Sequence, residues 1–121
     1  MELTPLVQPG RQVIERYGPS GFRVSGAIYL GPVLVFPDRT VAWAEAALTV
    51  GGLAPVGEHG GIELLLLGLG RRMVPVAAPL RASLKRSGIA VEAMDTGAAC
   101  RTYNVFLAEE RRVAAALLPP L

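Results

Sequence analysis

Residues 62–67 are the segment that most constrains the fold, because nearly every side chain in Ile62-Glu63-Leu64-Leu65-Leu66-Leu67 is apolar. Such a run, followed by Gly68-Leu69-Gly70, is typical of a strand that is buried on both faces inside a sheet. A strand of this kind needs cover on both sides. The run therefore predicts an α/β domain in which other elements pack against each face of a central sheet.

A helix and a second strand are predicted after this run. Residues 79–88 begin with proline, place Leu80 and Leu84 four residues apart, and end in two basic residues and a glycine. The alternating segment at residues 89–94 predicts a strand. The strand–helix–strand unit should have parallel strands and a right-handed crossover.

The first half of the chain indicates short strands and loops. Residues 21–36 are rich in Val, Ile, Tyr and Phe, and predict a β-meander or hairpin. A turn at Pro37-Asp38-Arg39 leads into a further strand at residues 40–43. Residues 45–53 have weak helical character, and the sequence Gly-Glu-His-Gly-Gly at residues 57–61 predicts a loop.

The size of the chain fits one compact domain. It has 121 residues, of which 51% are hydrophobic, and this is enough for a single core. We expect residues 1–12, which contain two prolines and a glycine, to form an N-terminal arm. Residues 13–121 then form a single α/β domain.

Charge and apolar patterning exclude several classes of function. The net charge is +2, the basic residues occur in separate pairs, and aromatic residues make up 6% of the chain, so we expect no nucleic-acid partner. The longest uncharged run, residues 24–37, contains glycine and proline and is shorter than the roughly 18 to 20 apolar residues of a spanning helix, so we expect no membrane insertion. One cysteine and the absence of a secretory signal favour the cytoplasm.

The segment around Asp95 and Thr96 has the strongest signal for a site. Both are N-cap residue types, and they directly follow the strand predicted at residues 89–94, so a helix is expected over residues 97–109. Polar groups then gather at a strand end and a helix N-terminus. Unpaired N–H groups and the helix dipole favour an anion there.

Three further residues extend this site along the helix. Arg101 and Asn104 are three residues apart on one helical face, and Cys100 lies on the same side. Together they are suited to binding a carboxylate, a phosphate or a peptide carbonyl. In the structural alternative Arg101 pairs with Asp95 or Glu109, and Asn104 fastens a loop.

Cys100 has two possible roles. A thiol near a helix start and beside Arg101 can have a lowered pKa and act as a nucleophile. The ordinary role of a free cysteine is that of a small buried side chain, and no base lies nearby in the sequence. The one histidine, His59, falls in the predicted loop, where we expect a solvated residue. A lone histidine without a second ligand at metal-binding spacing predicts no metal, and no cofactor is indicated.

Gly68, Gly70 and Trp43 complete the candidate cleft. The two glycines follow a strand as in a phosphate loop, but position 73 is methionine where a third glycine is needed. A tight turn and a close approach of the helix near residue 97 explain them better. Trp43 is either a packing residue or a half-exposed anchor for a partner beside this cleft.

An ordered set of motifs resembles a known family of small domains of unknown function. The set consists of Tyr17-Gly18-Pro19, Gly21-Phe22, Gly26, Pro37, Trp43, Gly68-Leu69-Gly70, Gly88-Ile89, residues 94–104, Glu109 and Arg111-Arg112-Val113. This family is related to mitochondrial respiratory complex I assembly factor three and to an adipogenesis-associated animal protein. The resemblance covers residues 13–119. It implies a three-layer fold with a mixed five-stranded central sheet, flanking helices and an extra β-hairpin layer.

The resemblance also bears on the end of the chain. Alanine-rich residues 112–118 favour a helix by propensity, but the family fold implies a last strand that is antiparallel to the others. Family members commonly have threonine where Leu69 stands and glycine where Glu110 stands. The first difference removes a hydroxyl from the cleft. The second removes the residue best suited to a left-handed helix C-cap.

Two functions are compatible with these observations. The resemblance implies a non-enzymatic, assembly-factor-like domain that binds another protein, through a cleft formed by Asp95, Thr96, Arg101, Asn104, Gly68, Gly70 and Trp43. The alternative is a small-molecule or anion-binding protein, or an enzyme, in which Arg101 holds an anion in the same cleft and Cys100 is the nucleophile. A third interpretation also stays open, in which the polar residues form a purely structural network and the function lies on an exposed hairpin edge. Such an edge leaves both a monomer and a homodimer open.

Overall fold

The described part of the chain contains eight strands and three helices. The computed structural model describes residues 9–71 and 74–120. In chain order the elements are β1 (Ile14–Gly18), β2 (Gly21–Val24), β3 (Ala27–Leu30), β4 (Val33–Val35), β5 (Thr40–Ala42), α1 (Ala54–His59), β6 (Leu64–Leu69), α2 (Ala78–Arg86), β7 (Ala90–Met94), α3 (Thr96–Ala108) and β8 (Val113–Leu118).

The central sheet is five-stranded and mixed, as the resemblance implied. Its strand order is β5-β4-β8-β6-β7. Strand β6 is parallel to β7, which confirms the predicted parallel strand–helix–strand unit, and β4 is antiparallel to both β5 and β8.

The direction of the last strand corrects one expectation. Residues 113–118 do form a strand, but β8 is parallel to β6, with Leu64 opposite Val113, and antiparallel only to β4. The expectation that it opposes all the others is therefore wrong. Helix α3 returns the chain from the end of β7 to the edge where β6 starts, so β8 must run in the same direction as β6.

Both faces of the central sheet are covered, as the run at residues 62–67 predicted. Leu65 and Leu67 of β6 point to a core cluster that contains residues of α1 and α2. Leu66 points to a second cluster that contains residues of α3, β1 and β2. The layers are therefore a pair of helices, the five-stranded sheet, and α3 together with a three-stranded sheet of order β1-β2-β3. The implied β-hairpin layer thus has one more strand than a hairpin.

The segment between β5 and β6 differs from its predicted structure. Residues 45–53 contain turns and no helix, and α1 occupies residues 54–59, which include the first part of the predicted loop at 57–61. Pro55 lies in the first turn of α1, where its missing N–H costs nothing. Leu53 and Val56 are buried in the first core cluster, so packing stabilises a helix that the local sequence signals only weakly.

The N-terminal arm predicted at residues 1–12 lies largely outside the described residues, which begin at residue 9. Its last two residues already contact the domain. The backbone N–H of Gln12 donates to the carbonyl of Pro37 at 3.0 Å. The carbonyl of Arg11 accepts a hydrogen bond from the hydroxyl of Ser25, also at 3.0 Å.

Candidate functional site

Helix α3 starts where the sequence predicted a capped helix. Asp95 has extended backbone angles, and its carboxylate accepts a hydrogen bond from the N–H of Ala98 at 2.9 Å. This contact satisfies one of the four N–H groups that a helix start leaves unpaired. Asp95 therefore has a structural role, and the N-terminus of α3 is partly occupied by the chain itself.

Thr96 is fully buried and joins three elements. Its hydroxyl donates to the carbonyl of Leu118 at 2.6 Å and accepts from the N–H of Gly70 at 2.8 Å. Its backbone N–H donates to the carbonyl of Gly70 at 2.8 Å. The hydroxyl thus ties the start of α3 to the ends of β6 and β8.

Gly68 lets α3 approach the sheet closely. A Cβ at this position would lie 2.7 Å from a methyl group of Leu117 and 3.1 Å from both Ala99 Cβ and Thr96 Cα. Gly70 has a φ of +87°, which places it in the left-handed region of a tight turn. The geometry of both glycines is that of the turn and close approach, and not that of a phosphate loop.

Asn104 is buried and faces β1. Its side-chain amide donates to the carbonyl of Ile14 at 2.8 Å, and its side-chain carbonyl accepts from the N–H of Ile14 at 3.0 Å. The residue fastens a strand to α3, which is close to the structural alternative considered from the sequence.

Arg101 is the exposed member of the predicted set. Its guanidinium donates to the hydroxyl of Tyr17 at 3.2 Å, and not to Asp95 or Glu109 as the structural alternative proposed. Gly97 makes room for this contact, because a Cβ there would lie 2.7 Å from the same hydroxyl. Arg101 is therefore held between α3 and the end of β1 with its head accessible.

Cys100 lies wholly within the second core cluster. Burial raises the pKa of its thiol to about 12, and the nearby charge of Arg101 offsets this only in part. A thiol in this setting stays protonated at neutral pH, which disfavours the nucleophilic role.

The predicted cleft residues are not all brought together. Asp95, Thr96, Gly68 and Gly70 meet at one end of the sheet, while Asn104 faces β1 further along α3. Trp43 lies in the first core cluster, on the other face of the sheet, where its indole N–H donates to Gly52 at 2.8 Å. The half-exposed anchor considered for Trp43 is therefore wrong, because the ring is buried.

His59 is more enclosed than a solvated loop residue. Its side chain is 14% exposed and stacks on Phe36, with ring centroids 4.3 Å apart. Its Nε2 lies 2.6 Å from the carboxylate of Asp38, and this hydrogen bond lowers the pKa of Asp38. Sequence reasoning missed this pair because its members are far apart in the chain. Within residues 9–71 and 74–120, no cluster of three or more His, Cys, Asp or Glu could hold a metal ion.

Sequence reasoning also missed two exposed aliphatic side chains on the three-stranded sheet. Ile28 is 72% exposed and Leu30 is 78% exposed. They line a groove of about 270 Å³ together with residues of β1 and β2. The available signal was the wholly apolar sequence of β3, Ala27-Ile28-Tyr29-Leu30. Among the described residues, no helix has the length and apolar character needed to cross a membrane.

Comparisons with known proteins give this fold and sequence a family. An uncharacterized protein of Rhodobacter capsulatus is 37% identical over 112 residues, which cover 91% of this chain and 86% of that protein. NADH dehydrogenase (ubiquinone) 1 alpha subcomplex assembly factor 3 of Danio rerio is 38% identical over 112 residues, covering 89% of this chain. The chain spans 64% of that relative, which is less than two thirds of its length.

A solved structure agrees with these sequence matches. The crystal structure of an outer membrane protein from Bartonella henselae superposes with a TM-score of 0.82 at 35% identity, covering 93% of this chain and 98% of that one. The family described as a protein of unknown function (DUF498/DUF598) matches residues 14–118, nearly the whole described domain. The chain belongs to this DUF498/DUF598 family.

Proposed function

We propose that this domain is a non-enzymatic, assembly-factor-like protein that binds another protein during the assembly of a larger complex. The observation that carries the proposal is the 38% identity, over nearly the whole domain, to a protein named as an assembly factor. The match covers the elements that build both core clusters. A shared fold is compatible with a shared mode of action. We place this activity in the cytoplasm because a single cysteine suits a reducing compartment.

The chemistry around α3 supports binding over catalysis. The polar atoms of Thr96 and Asn104 are engaged in hydrogen bonds within the domain. The thiol of Cys100 is buried and protonated at neutral pH. A nucleophilic mechanism needs an accessible group, and the thiol of Cys100 is not accessible in the folded domain.

The competing function is a small-molecule or anion site, or an enzyme, that uses the same end of α3. Arg101 supplies an accessible guanidinium, but the start of the helix is already capped by Asp95. A small anion would therefore depend mainly on one exposed charge.

Quantitative affinity capture of the tagged protein from its native cells tests the proposal. We expect the wild-type protein to retain subunits of one multi-protein complex, and Arg101→Ala to reduce their recovery if α3 forms part of the interface. Arg86→Ala, which removes an exposed arginine from α2, is the matched control. Failure of the wild-type protein to retain any client would contradict the proposed function and favour the small-ligand alternative. An Asn104 variant is unsuitable here, because it would disturb the fold.

A further inference from the structure

Among the described residues, α3 covers one face of the three-stranded sheet, and no helix or strand covers the other. Phe22 and Val24 of β2 are buried against α3 within the second core cluster. The pairing register places the opposite side chains in two rows, and we call these six residues the outer face. One row is Arg16, Arg23 and Ile28, and the other is Gly18, Gly21 and Leu30.

The composition of the outer face is unusual for a solvent-exposed sheet. An antiparallel sheet with one covered face ordinarily alternates apolar residues inside with polar residues outside. Here the outward positions of β3 are Ile28 and Leu30, both more than two thirds exposed. Clustered exposed aliphatic side chains mark an interaction surface more often than isolated ones do.

A groove on the outer face is built into the backbone. Gly18 and Gly21 contribute no side chains beside Leu30, and the groove that they leave has a volume of about 270 Å³. Gly21 cannot be replaced without moving the sheet, because a Cβ there would clash with the carbonyl oxygen of Tyr29. The depth of the groove therefore follows from the close pairing of β2 and β3, and an aliphatic side chain would fit in it.

The charge of the outer face indicates what kind of protein segment it would take. Arg23 lies on the outer face beside Ile28, and the described residues that line the groove include no carboxylate. Arg23 has a 3.4 Å ion pair with Glu15, in which both side chains are more than 40% exposed. Exposed pairs of this kind contribute little, so Arg23 is available to exchange partners.

The charge of Arg23 argues against a second copy of this chain on the outer face. Two copies packed face to face would place Arg23 of both copies in one interface, and like charges across an interface are unfavourable. A segment with a carboxylate next to an aliphatic residue complements Arg23 and the groove at once.

We propose that the outer face binds an acidic segment of the client protein, with an aliphatic side chain in the groove beside Leu30 and a carboxylate on Arg23. The inference rests on the proposed function, since it names the surface and the chemistry of the client. The Arg23 guanidinium fixes orientation and specificity, and the aliphatic contact supplies buried apolar area.

Site-specific photo-crosslinking in the native cells tests this surface. The probe is p-benzoylphenylalanine, placed at Leu30 in the full chain and, as a control, at Val50, which is 58% exposed and lies in the turn region before α1. We expect the Leu30 probe to crosslink to a peptide of another protein that carries Asp or Glu within a few residues of an aliphatic side chain. The Val50 probe should not crosslink to that peptide.

Charge reversal then tests the arginine contact. Arg23→Glu should lower the yield of the Leu30 crosslink roughly ten-fold. Replacing the identified acidic residue of the client with arginine should restore it. Arg86→Glu is the matched control and should leave the yield unchanged. A crosslink to a second copy of this chain, a yield that Arg23→Glu does not change, or no protein crosslink at all would overturn the proposal.

Failure of this surface is distinguishable from failure of the proposed function. Ile28→Ser and Leu30→Ser replace exposed side chains, so circular dichroism should show the native fold in both. If the wild-type protein retains a client and both serine variants retain it equally, the outer face is not the interface and the binding function stands. If the wild-type protein retains no client, the function itself is contradicted.

Discussion

The side-chain amide of Asn104 in α3 makes hydrogen bonds to both backbone groups of Ile14 in β1. The amide N–H donates at 2.8 Å and the amide oxygen accepts at 3.0 Å, so the side chain takes the place of a neighbouring strand. Ile14 lies at the edge of the three-stranded sheet and would otherwise bury two unpaired groups. The pair fixes the three-stranded sheet to α3 and so positions the outer face relative to the core.

Asn104→Ala should therefore destabilise the domain strongly. It removes two buried hydrogen bonds and leaves the N–H and carbonyl of Ile14 unsatisfied, and each such group costs about 1–3 kcal/mol. We expect the free energy of unfolding, measured by urea denaturation, to fall by about 3 kcal/mol. Val105→Ala, at a 54% exposed position of the same helix, should change it by less than about 0.5 kcal/mol. A comparable loss in both variants would mean that the helix, and not the amide pair, is the sensitive element.

The close approach of α3 predicts that Gly68 does not tolerate a methyl group. Gly68→Ala would push Leu117, Ala99 or the start of α3 aside, and we expect a loss of about 2 kcal/mol in unfolding free energy, as in other overpacked cores. Gly57→Ala is the matched control. Gly57 lies in α1, and the space that a Cβ would take there is open, so alanine should stabilise the helix by up to about 1 kcal/mol. Opposite signs in chemical denaturation would confirm the contact, and a stabilised Gly68→Ala variant would refute it.

The burial of Cys100 predicts low reactivity and alkaline instability. With a pKa of about 12 in the folded state, the thiol should resist iodoacetamide at pH 8 until the domain is unfolded. Val105→Cys in a Cys100→Ala background places a thiol at an exposed position and should react rapidly. Fast labelling of the native wild-type protein would reopen the catalytic role.

The pH dependence of stability follows from the same burial. The unfolded chain loses the Cys100 proton near the ordinary thiol pKa of 9.0, whereas the folded chain retains it. Stability should accordingly fall as the pH rises above about 9, and burial raises the pKa of Tyr103 in the same direction.

Local signals accounted for much of the fold. The capping residues at 95–96 and the basic end of α2 specify helix ends through contacts between near neighbours in the chain. The apolar run at residues 62–67 specifies a strand buried on both faces through its composition. The direction of β8 could not be read in this way, since Val113–Leu118 has the same residues in either orientation. It depends on where α3 returns the chain.

The candidate site was only partly predictable for a related reason. Asp95 caps α3 through the N–H of Ala98, three residues later, so its role is local and its sequence signal was correct. Asn104 meets a partner 90 residues earlier, and Trp43 is buried by a cluster that includes α1 and α2. Residue type marked these side chains as candidates for the site. Only the tertiary packing showed that they act within the fold and not at a surface.

Glu110 ends α3 in a conformation that suits glycine. Its φ is +61°, its N–H donates to Leu107, and the N–H of Arg111 donates to Phe106, which together form a Schellman motif. The guanidinium of Arg111 lies 4.0 Å from the centre of the Phe106 ring and replaces the usual apolar contact of that motif. Glu110, where the resemblance implied glycine, is thus the left-handed C′ residue of the helix.

Substitutions at the C-terminal end of α3 separate backbone strain from side-chain contacts. A residue with a Cβ costs about 1 kcal/mol in the left-handed region, so Glu110→Gly should unfold at a higher urea concentration than Glu110→Ala, by an amount equivalent to about 1 kcal/mol. Both variants remove the carboxylate, so their difference reports the backbone alone. Glu109 has a φ of −83°, and Glu109→Gly should instead cost stability relative to Glu109→Ala, because glycine there only adds freedom to the unfolded chain. Equal unfolding midpoints for the two Glu110 variants would show that the positive φ carries no strain in this helix end.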